Sequence, residues 1–320
     1  MAVVILVNLV SLGALAWTLR EADLGSLRTD AAALNWWWVL AAIATQLSVY
    51  GWQALRWKML LAPVVRFPFW QAVRAVFVGL FTSEILPFRG GEVLRSYLVT
   101  LWTGLPFSVS LTSVVIERVF DGLLMWFSLR FLLETAQFPR SFAYLGQGLG
   151  LAVLAGVIIF AFALFSPEPK GRERPKKGWR RRFWIFRSDL AHIGHSRYLW
   201  AAFFLTVPYL LLQAVPVWVL SSGYGFEIPV GAAIGLVMLL RLAAALPQAP
   251  ATLGLFQLIT QQFLEYGYGI PAAQAARYSL LLWAVIKLPL LAAGAIALSI
   301  TGAKLGELTK AAKAHAKEHS

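Results

Sequence analysis

The chain has 320 residues, of which 59% are hydrophobic and only 13% are charged, and its formal net charge is +13. Soluble domains carry about 25% charged residues, and large apolar patches left in water drive association, so the composition argues against a soluble enzyme and predicts an all-α polytopic membrane protein. Cysteine is absent, which excludes disulfides and thiolate metal sites.

Six segments have the length of a membrane span, for which about 20 mostly apolar residues are needed. They are 1–19, 35–56, 108–133, 142–165, 198–220 and 277–301. The first could instead be a cleaved signal peptide, because Ala14-Leu15-Ala16 resembles a cleavage site. Signal peptides normally carry Lys or Arg before the apolar run, and none is present here, so we expect a retained helix.

Two further apolar stretches are interrupted. The stretch 68–105 breaks at 86–91, and the stretch 228–266 breaks at Pro247, with Gly254 soon after. Proline removes a backbone donor and clashes within a helix. Broken backbone at membrane depth is tolerated only where it is buried in protein or lines a wet cavity. We therefore expect the functional site at these two breaks.

Loop charge predicts the orientation, because cytoplasmic loops carry an excess of Lys and Arg. The segment 166–197 is strongly basic, Arg56, Lys58 and Arg66 mark a second short loop, and the tail 304–320 is lysine-rich. We expect all three in the cytoplasm and the protein in the cytoplasmic (inner) membrane. The predicted divisions are a first membrane half at 1–165, a basic cytoplasmic loop at 166–197, a second membrane half at 198–303 and a basic cytoplasmic tail at 304–320.

The number of spans agrees with the predicted loop positions if 68–105 enters and leaves the membrane on the cytoplasmic side and 228–266 enters and leaves it on the outside. Each half then reads as span, hairpin, span, in opposite orientations. Leu86-Pro87 and Leu246-Pro247 lie 160 residues apart, as an internal repeat would place them. Paired interruptions of this kind indicate a transporter site near the midplane. We predict about six full spans plus two broken re-entrant hairpins in an inverted-topology repeat.

Charged residues stand inside the apolar regions, where a charge at the helix centre costs about 2.5–3.5 kcal/mol. The candidate substrate-binding residues are Glu84, Arg89, Glu92, Arg95, Glu117, Arg118, Asp121, Arg241, Pro247 and Gly254, and Lys287 interrupts the last span. Glu117 and Asp121 share one helix face, so we expect a network in which Arg95 or Arg89 meets one of them. Arginine binds phosphate in bidentate fashion, and Arg95 is the predicted ligand of a lipid phosphate. Alternatively, these pairs only lock helices together.

The basic segment 170–187 mixes cations with aromatic residues, as interfacial helices do. Such a segment is attracted to anionic lipid by about 1 kcal/mol per cation; alternatively, it only sets the topology. A loop that lies at the bilayer surface is not expected to bind nucleic acid.

The four histidines lie in this central loop or in the tail, and no catalytic triad or P-loop is visible. We therefore predict no catalytic residue, no metal and no cofactor.

Three segments together resemble a known family. They are Ala-Leu-Arg-Trp-Lys at 54–58, Leu-Pro-Phe-Arg-Gly-Gly-Glu-Val-Leu-Arg at 86–95 and Glu-Arg-Val-Phe-Asp at 117–121. They resemble the lysylphosphatidylglycerol synthase transmembrane-region family, also called flippase-like domain proteins. Its second signature is similar to Pro247, Pro250, Gly254 and residues 267–276. Family members often have Asn before the first Leu-Pro, where this chain has Glu84, and Glu soon after the later Gly, where it has Gln257.

The resemblance implies that the protein translocates a lipid, such as an aminoacylated phospholipid, between leaflets. The chain shows no soluble aminoacyl-transferase domain, so we expect a stand-alone member. The leading hypothesis is an integral-membrane flippase or transporter of a polar-headed, phosphate-bearing lipid. The alternative is a non-catalytic scaffold whose basic loop holds a lipid-modifying or glycosyl-transfer enzyme. A membrane-embedded transferase, with Glu92 or Asp121 as base, is a third possibility.

Overall fold

The protein folds as a bundle of helices. The computed structural model describes residues 2–26, 29–30, 32, 34–85, 90–135, 148, 151, 154–160, 162, 179–194, 196–244 and 250–302. Its helices are α1 (Ala2–Glu21), α2 (Trp36–Leu61), α3 (Phe69–Ile85), α4 (Gly91–Thr103), α5 (Phe107–Thr135), α6 (Trp179–Gly194), α7 (Arg197–Gly223), α8 (Val230–Ala244), α9 (Leu255–Tyr268) and α10 (Ala272–Thr301). No strand occurs within these ranges. Much of the predicted span 142–165 and of the basic loop, and the tail from 303 onward, lie outside the described residues.

Two helices, α7 and α10, are long and apolar enough to cross a membrane by length and composition, and α8 is a shorter apolar helix. Helices α2 and α5 contain 26 and 29 residues, which at 1.5 Å per residue amounts to about 40 Å, enough for a bilayer core. Helix α5 carries charged side chains well inside its length, and α2 carries Arg56 and Lys58 in its last six residues. The chain is an all-α membrane protein, and the predicted number of spans stays a prediction.

Each interrupted stretch forms two short helices around a break. Helix α3 ends at Ile85 and α4 begins at Gly91, and α8 and α9 flank the second break. The α3 and α4 backbones approach closely, because a Cβ at Gly91 would lie 1.8 Å from the Gly79 carbonyl oxygen. The four arms have 17, 13, 15 and 14 residues, each shorter than the roughly 20 residues that one crossing needs.

The helices fall into two sets of four with matching lengths. Helices α2 to α5 have 26, 17, 13 and 29 residues, and α7 to α10 have 27, 15, 14 and 30. Helices α2 and α7 pack against each other along the centre. Two further kinds of helix contact between the sets are reciprocal: α3 packs on α10 as α8 packs on α5, and α2 contacts α10 as α7 contacts α5.

Exposed tryptophans lie in the first turn of three helices. Trp37 lies in the first turn of α2, Trp70 in the first turn of α3 and Trp200 in the first turn of α7, and all three side chains are exposed. Tryptophan is enriched at membrane–water interfaces, where its amphipathic ring sits at the headgroup level. These positions are those expected for helix ends at a bilayer surface.

An ion pair ties the segment after α1 to the beginning of α10. Arg277 Nε lies 2.5 Å from Asp30 Oδ2, Arg277 Nη1 donates to the Ala22 carbonyl at 3.1 Å, and Tyr224 donates to the same Asp30 oxygen. Burial raises the pKa of Asp30, but the hydrogen bonds from Tyr224 and Arg277 outweigh it, so the pKa lies below its ordinary value of 3.8. Burial and this carboxylate acceptor raise the pKa of Tyr224.

Candidate functional site

Glu117, in the middle of α5, binds two arginines from different helices. Its Oε1 accepts hydrogen bonds from Arg56 Nε at 3.3 Å and Nη2 at 3.1 Å, and its Oε2 accepts one from Arg95 Nη2 at 2.5 Å. The Glu117 and Arg56 side chains are 0% exposed, and that of Arg95 is 3% exposed. Of the pairings expected between Arg89 or Arg95 and Glu117 or Asp121, the structure shows Arg95 with Glu117, and the carboxylate joins α2, α4 and α5.

Asp121 lies one helical turn after Glu117 and binds three arginines. Its Oδ1 lies 2.5 Å from Arg56 Nη1, and its Oδ2 lies 3.5 Å from both Arg118 Nη1 and Arg241 Nη2. Arg241 comes from α8, so this carboxylate joins the two sets of helices. Arg118 also pairs with Glu92 of α4 at 2.6 Å.

Aromatic and hydroxyl side chains complete the surroundings of the arginines. Thr206 of α7 accepts a hydrogen bond from Arg56 at 3.1 Å. The ring of Tyr209, also on α7, lies 4.5 Å from the Arg56 guanidinium carbon and 5.3 Å from that of Arg241. Desolvated contacts of this kind contribute about 2 kcal/mol each.

Arg56 is the main correction to the expected site. The charge pattern predicts Arg56 in the cytoplasmic loop, but α2 continues to Leu61 and the Arg56 side chain is fully buried. Helical side chains point toward the N-terminus of their helix, so this guanidinium reaches back toward the middle of the bundle. Two signals could have identified it. Arg56 belongs to one of the segments that carry the family resemblance, and the buried Gln46 and Gln53 precede it at helical spacing.

A second ion pair connects the two sets of helices beside this network. Lys287 Nζ of α10 donates to Glu84 Oε1, near the end of α3, at 2.6 Å, and the two side chains are largely buried. The sequence singled out both residues but could not show that they are partners, because 203 positions separate them.

These side chains surround one cavity of about 550 Å³. Its polar wall contains Gln46, Gln53, Glu84, Glu92, Arg95, Arg118, Asp121, Tyr209, Gln213, Arg241 and Lys287, and its apolar wall contains Val49, Leu80, Met125, Val237, Leu240, Phe256 and Leu290. The side chains of Arg118 and Glu92 are 43% and 35% exposed, and both line the cavity. Because such charges would be costly against hydrocarbon, the cavity must hold water or a polar ligand.

The predicted site residues do not all lie at this cavity. Glu84, Glu92, Arg95, Arg118, Asp121 and Arg241 line it, and Glu117 lies directly behind it. Gly254 does not line it. A Cβ at Gly254 would lie 1.8 Å from the Ser11 carbonyl oxygen, and its φ of +87° favours glycine, so this position serves the packing of α1 against the start of α9. Arg89 and Pro247 lie outside the described residues.

Among the residues that the structure describes, no three His, Cys, Asp or Glu side chains form a group that could hold a metal ion. The acidic residues of the cavity are instead each bound to arginine or lysine. The carboxylates and the cations that line the cavity are therefore paired with one another.

Comparison with known proteins identifies the family to which the chain belongs. The family described as lysylphosphatidylglycerol synthase TM region matches residues 3–294, which include every helix of the cavity. That family is a membrane domain associated with lipid flippase function. No curated protein and no solved structure shows a significant match. The chain belongs to the lysylphosphatidylglycerol synthase transmembrane-region family.

Proposed function

We propose that this protein moves a lipid with a polar, phosphate-bearing headgroup between the two leaflets of the cytoplasmic membrane. The observation that carries the proposal is the charged cavity within a bundle of apolar helices. Bare hydrocarbon opposes headgroup passage because polar and charged groups lose their hydration there. A cavity lined by Glu92, Arg118, Asp121 and Arg241 offers replacement partners, and its apolar wall suits the acyl chains.

The two sets of helices support an alternating mechanism. Matching helix lengths and reciprocal contacts are what an inverted-topology repeat would produce, with α3–α4 and α8–α9 as its re-entrant hairpins. In transporters of this kind the site lies at the repeat interface, and one repeat moves against the other. The pairs Glu84–Lys287 and Asp121–Arg241 cross that interface, so their exchange would accompany such a movement.

The proposed orientation can be tested because the chain has no cysteine. Ser222→Cys, at an exposed position near the end of α7, should react with an impermeant maleimide from outside. Lys176→Cys, in the basic segment, should react only from the cytoplasm. Cytoplasmic labelling of Ser222→Cys would contradict the inverted arrangement.

Flipping itself is tested in proteoliposomes that contain a fluorescent phospholipid and are treated with a membrane-impermeant quencher. The protein should raise the fraction of lipid exchanged above that of protein-free vesicles. Met125→Trp, which fills the cavity wall, should reduce exchange strongly, because the added ring occupies the path. Phe127→Trp is the matched control on the same helix, since this side chain is exposed on the outer face. Exchange equal to that of protein-free vesicles across anionic and zwitterionic lipids would refute the proposal.

We also propose that the basic segment 170–187 lies on anionic lipid. Residues from 179 onward form α6, which packs on α5 and α7 through the buried Leu190 and Ile193. This packing would hold the cationic part of the segment against the adjoining leaflet. Replacing Arg180, Arg181 and Arg182 with Gln should remove any stabilisation of the protein by added anionic lipid, measured as a change in Tm. A lipid-induced rise in Tm that persists in the triple variant would contradict this contact.

A further inference from the structure

The arginine network carries one more positive charge than negative. Among the described residues, four arginines (Arg56, Arg95, Arg118 and Arg241) share three carboxylates (Glu92, Glu117 and Asp121). The neighbouring Glu84–Lys287 pair is neutral by itself. An uncompensated charge in a membrane interior is unfavourable, so the network is suited to one further anion with a single charge.

We propose that Arg118 and Arg241 bind the phosphodiester group of the lipid headgroup, in the place that the Asp121 Oδ2 atom holds in this structure. This inference rests on the proposed function and names its substrate class. The bound group is a monoanion, which distinguishes it from a neutral glycolipid headgroup and from a phosphomonoester, whose charge at neutral pH is about −1.5 to −2.

Exposure separates the two proposed ligands from the other two arginines, although Arg118 also pairs with Glu92 at 2.6 Å. Arg56 and Arg95 each have a carboxylate oxygen at 2.5 Å and are almost completely buried. Arg118 and Arg241 lie 3.5 Å from Asp121 Oδ2, and their side chains are 43% and 20% exposed. Since 3.5 Å lies beyond the usual range for a good N–H···O bond, these two contacts are the weakest of the network and the most readily exchanged.

The geometry around Asp121 Oδ2 suits a phosphate. Both guanidinium groups reach the same oxygen atom, so their terminal nitrogens lie at most twice 3.5 Å apart. A phosphodiester has two non-bridging oxygens, and arginine binds phosphate in bidentate fashion. When Oδ2 is displaced, Asp121 keeps its bond from Arg56 to Oδ1, so the exchange leaves no carboxylate without a partner.

The two ligands also come from different sets of helices. Arg118 lies on α5 and Arg241 on α8, and Asp121 connects them in this structure. A headgroup that replaces this carboxylate would contact both sets at once. Binding of the headgroup would thereby be coupled to the relative position of the two sets.

The experiment compares two lipids with the same acyl chains and hydroxylated headgroups, phosphatidylglycerol and glucosyl-diacylglycerol. The full chain in proteoliposomes should exchange phosphatidylglycerol about tenfold faster, because charge-assisted hydrogen bonds are lost with the glycolipid. Arg241→Gln should reduce the phosphatidylglycerol rate to that of the glycolipid, and Arg241→Lys should restore part of it. Arg74→Gln is the control, because Arg74 stacks on Trp102 outside the cavity.

Binding is measured separately in detergent, as the rise in Tm caused by short-chain phosphatidylglycerol. Arg241→Gln should lose this rise, and Arg74→Gln should keep it. If both lipids exchange at equal rates, the phosphate site is refuted and flipping stands. If phosphatidylglycerol raises the Tm through Arg241 but no lipid is exchanged, the site stands and the proposed function fails. A rise in Tm that is unchanged in Arg241→Gln refutes the site directly.

Discussion

Replacing the Glu117 carboxylate tests whether the buried network holds the bundle together. In Glu117→Gln the side chain keeps its shape, but a single amide oxygen must replace two carboxylate oxygens, which accept from Arg56 at 3.1 and 3.3 Å and from Arg95 at 2.5 Å. The amide nitrogen would face a guanidinium group and could not accept from it. One arginine therefore loses its acceptor at position 117, and the network gains a further uncompensated positive charge.

The size of the effect follows from burial. Glu117 and Arg56 are 0% exposed and Arg95 is 3% exposed, so solvent cannot replace the lost partner. Breaking a buried ion pair by removing one side costs about 3–5 kcal/mol, which corresponds to a fall in Tm of roughly 5–10 °C. The matched control is Glu92→Gln, whose pair with Arg118 is 35% and 43% exposed, and such a pair contributes less than about 1 kcal/mol.

Thermal unfolding of the purified protein in detergent gives the answer. Glu117→Gln should lower the Tm several times more than Glu92→Gln. Adding Arg95→Gln to Glu117→Gln removes one positive charge together with the negative one, so the double variant should unfold at a higher temperature than the sum of the two single changes predicts. Equal effects of Glu117→Gln and Glu92→Gln would show that burial does not decide the cost and would refute this account of the network.

Three further results are expected. For the pair between Glu84 and Lys287, each single change to Gln should destabilise the protein by about 3 kcal/mol, and the double change should destabilise it less than either. A double-mutant cycle of Tm measurements tests this, and additive losses would contradict the pairing. Because the pKa of Asp30 is lowered from 3.8, its stabilisation is present above that pH and lost as the pH falls through its folded-state pKa. The stabilisation relative to Asp30→Asn, about 1 kcal/mol at neutral pH, should therefore vanish on acidification, so that the two proteins then have the same Tm. Gly91→Ala should cost at least about 1–3 kcal/mol, since its Cβ would meet backbone at 1.8 Å, whereas Gly231→Ala, with open space around it, should be neutral or slightly stabilising in the same unfolding assay.

Several features followed from the sequence because they depend on local composition. A chain with 59% hydrophobic residues is expected to cover its apolar surface with lipid, where the backbone must be hydrogen-bonded internally. Its apolar segments of about 20 residues have the length that a membrane-spanning helix needs. The breaks near 86–91 and Pro247 could be predicted because proline and glycine are clustered there, and proline removes a backbone donor and clashes within a helix. Arg95 and Glu117 were recognised because ionised side chains within apolar segments need partners.

The choice of partners was decided by the tertiary structure alone. Helix rotation and crossing determine which faces meet, and these depend on packing between residues that are distant in sequence. Thus Arg56, which by position belonged to a loop, lies fully buried beside Glu117 and Asp121. Arg95 binds Glu117 rather than Asp121, which leaves the more exposed Arg118 and Arg241 beside the latter carboxylate. The sequence by itself determined that charged side chains would be buried in a membrane bundle. Only the tertiary structure decided which of these side chains face the cavity, because their positions depend on contacts between the two sets of helices.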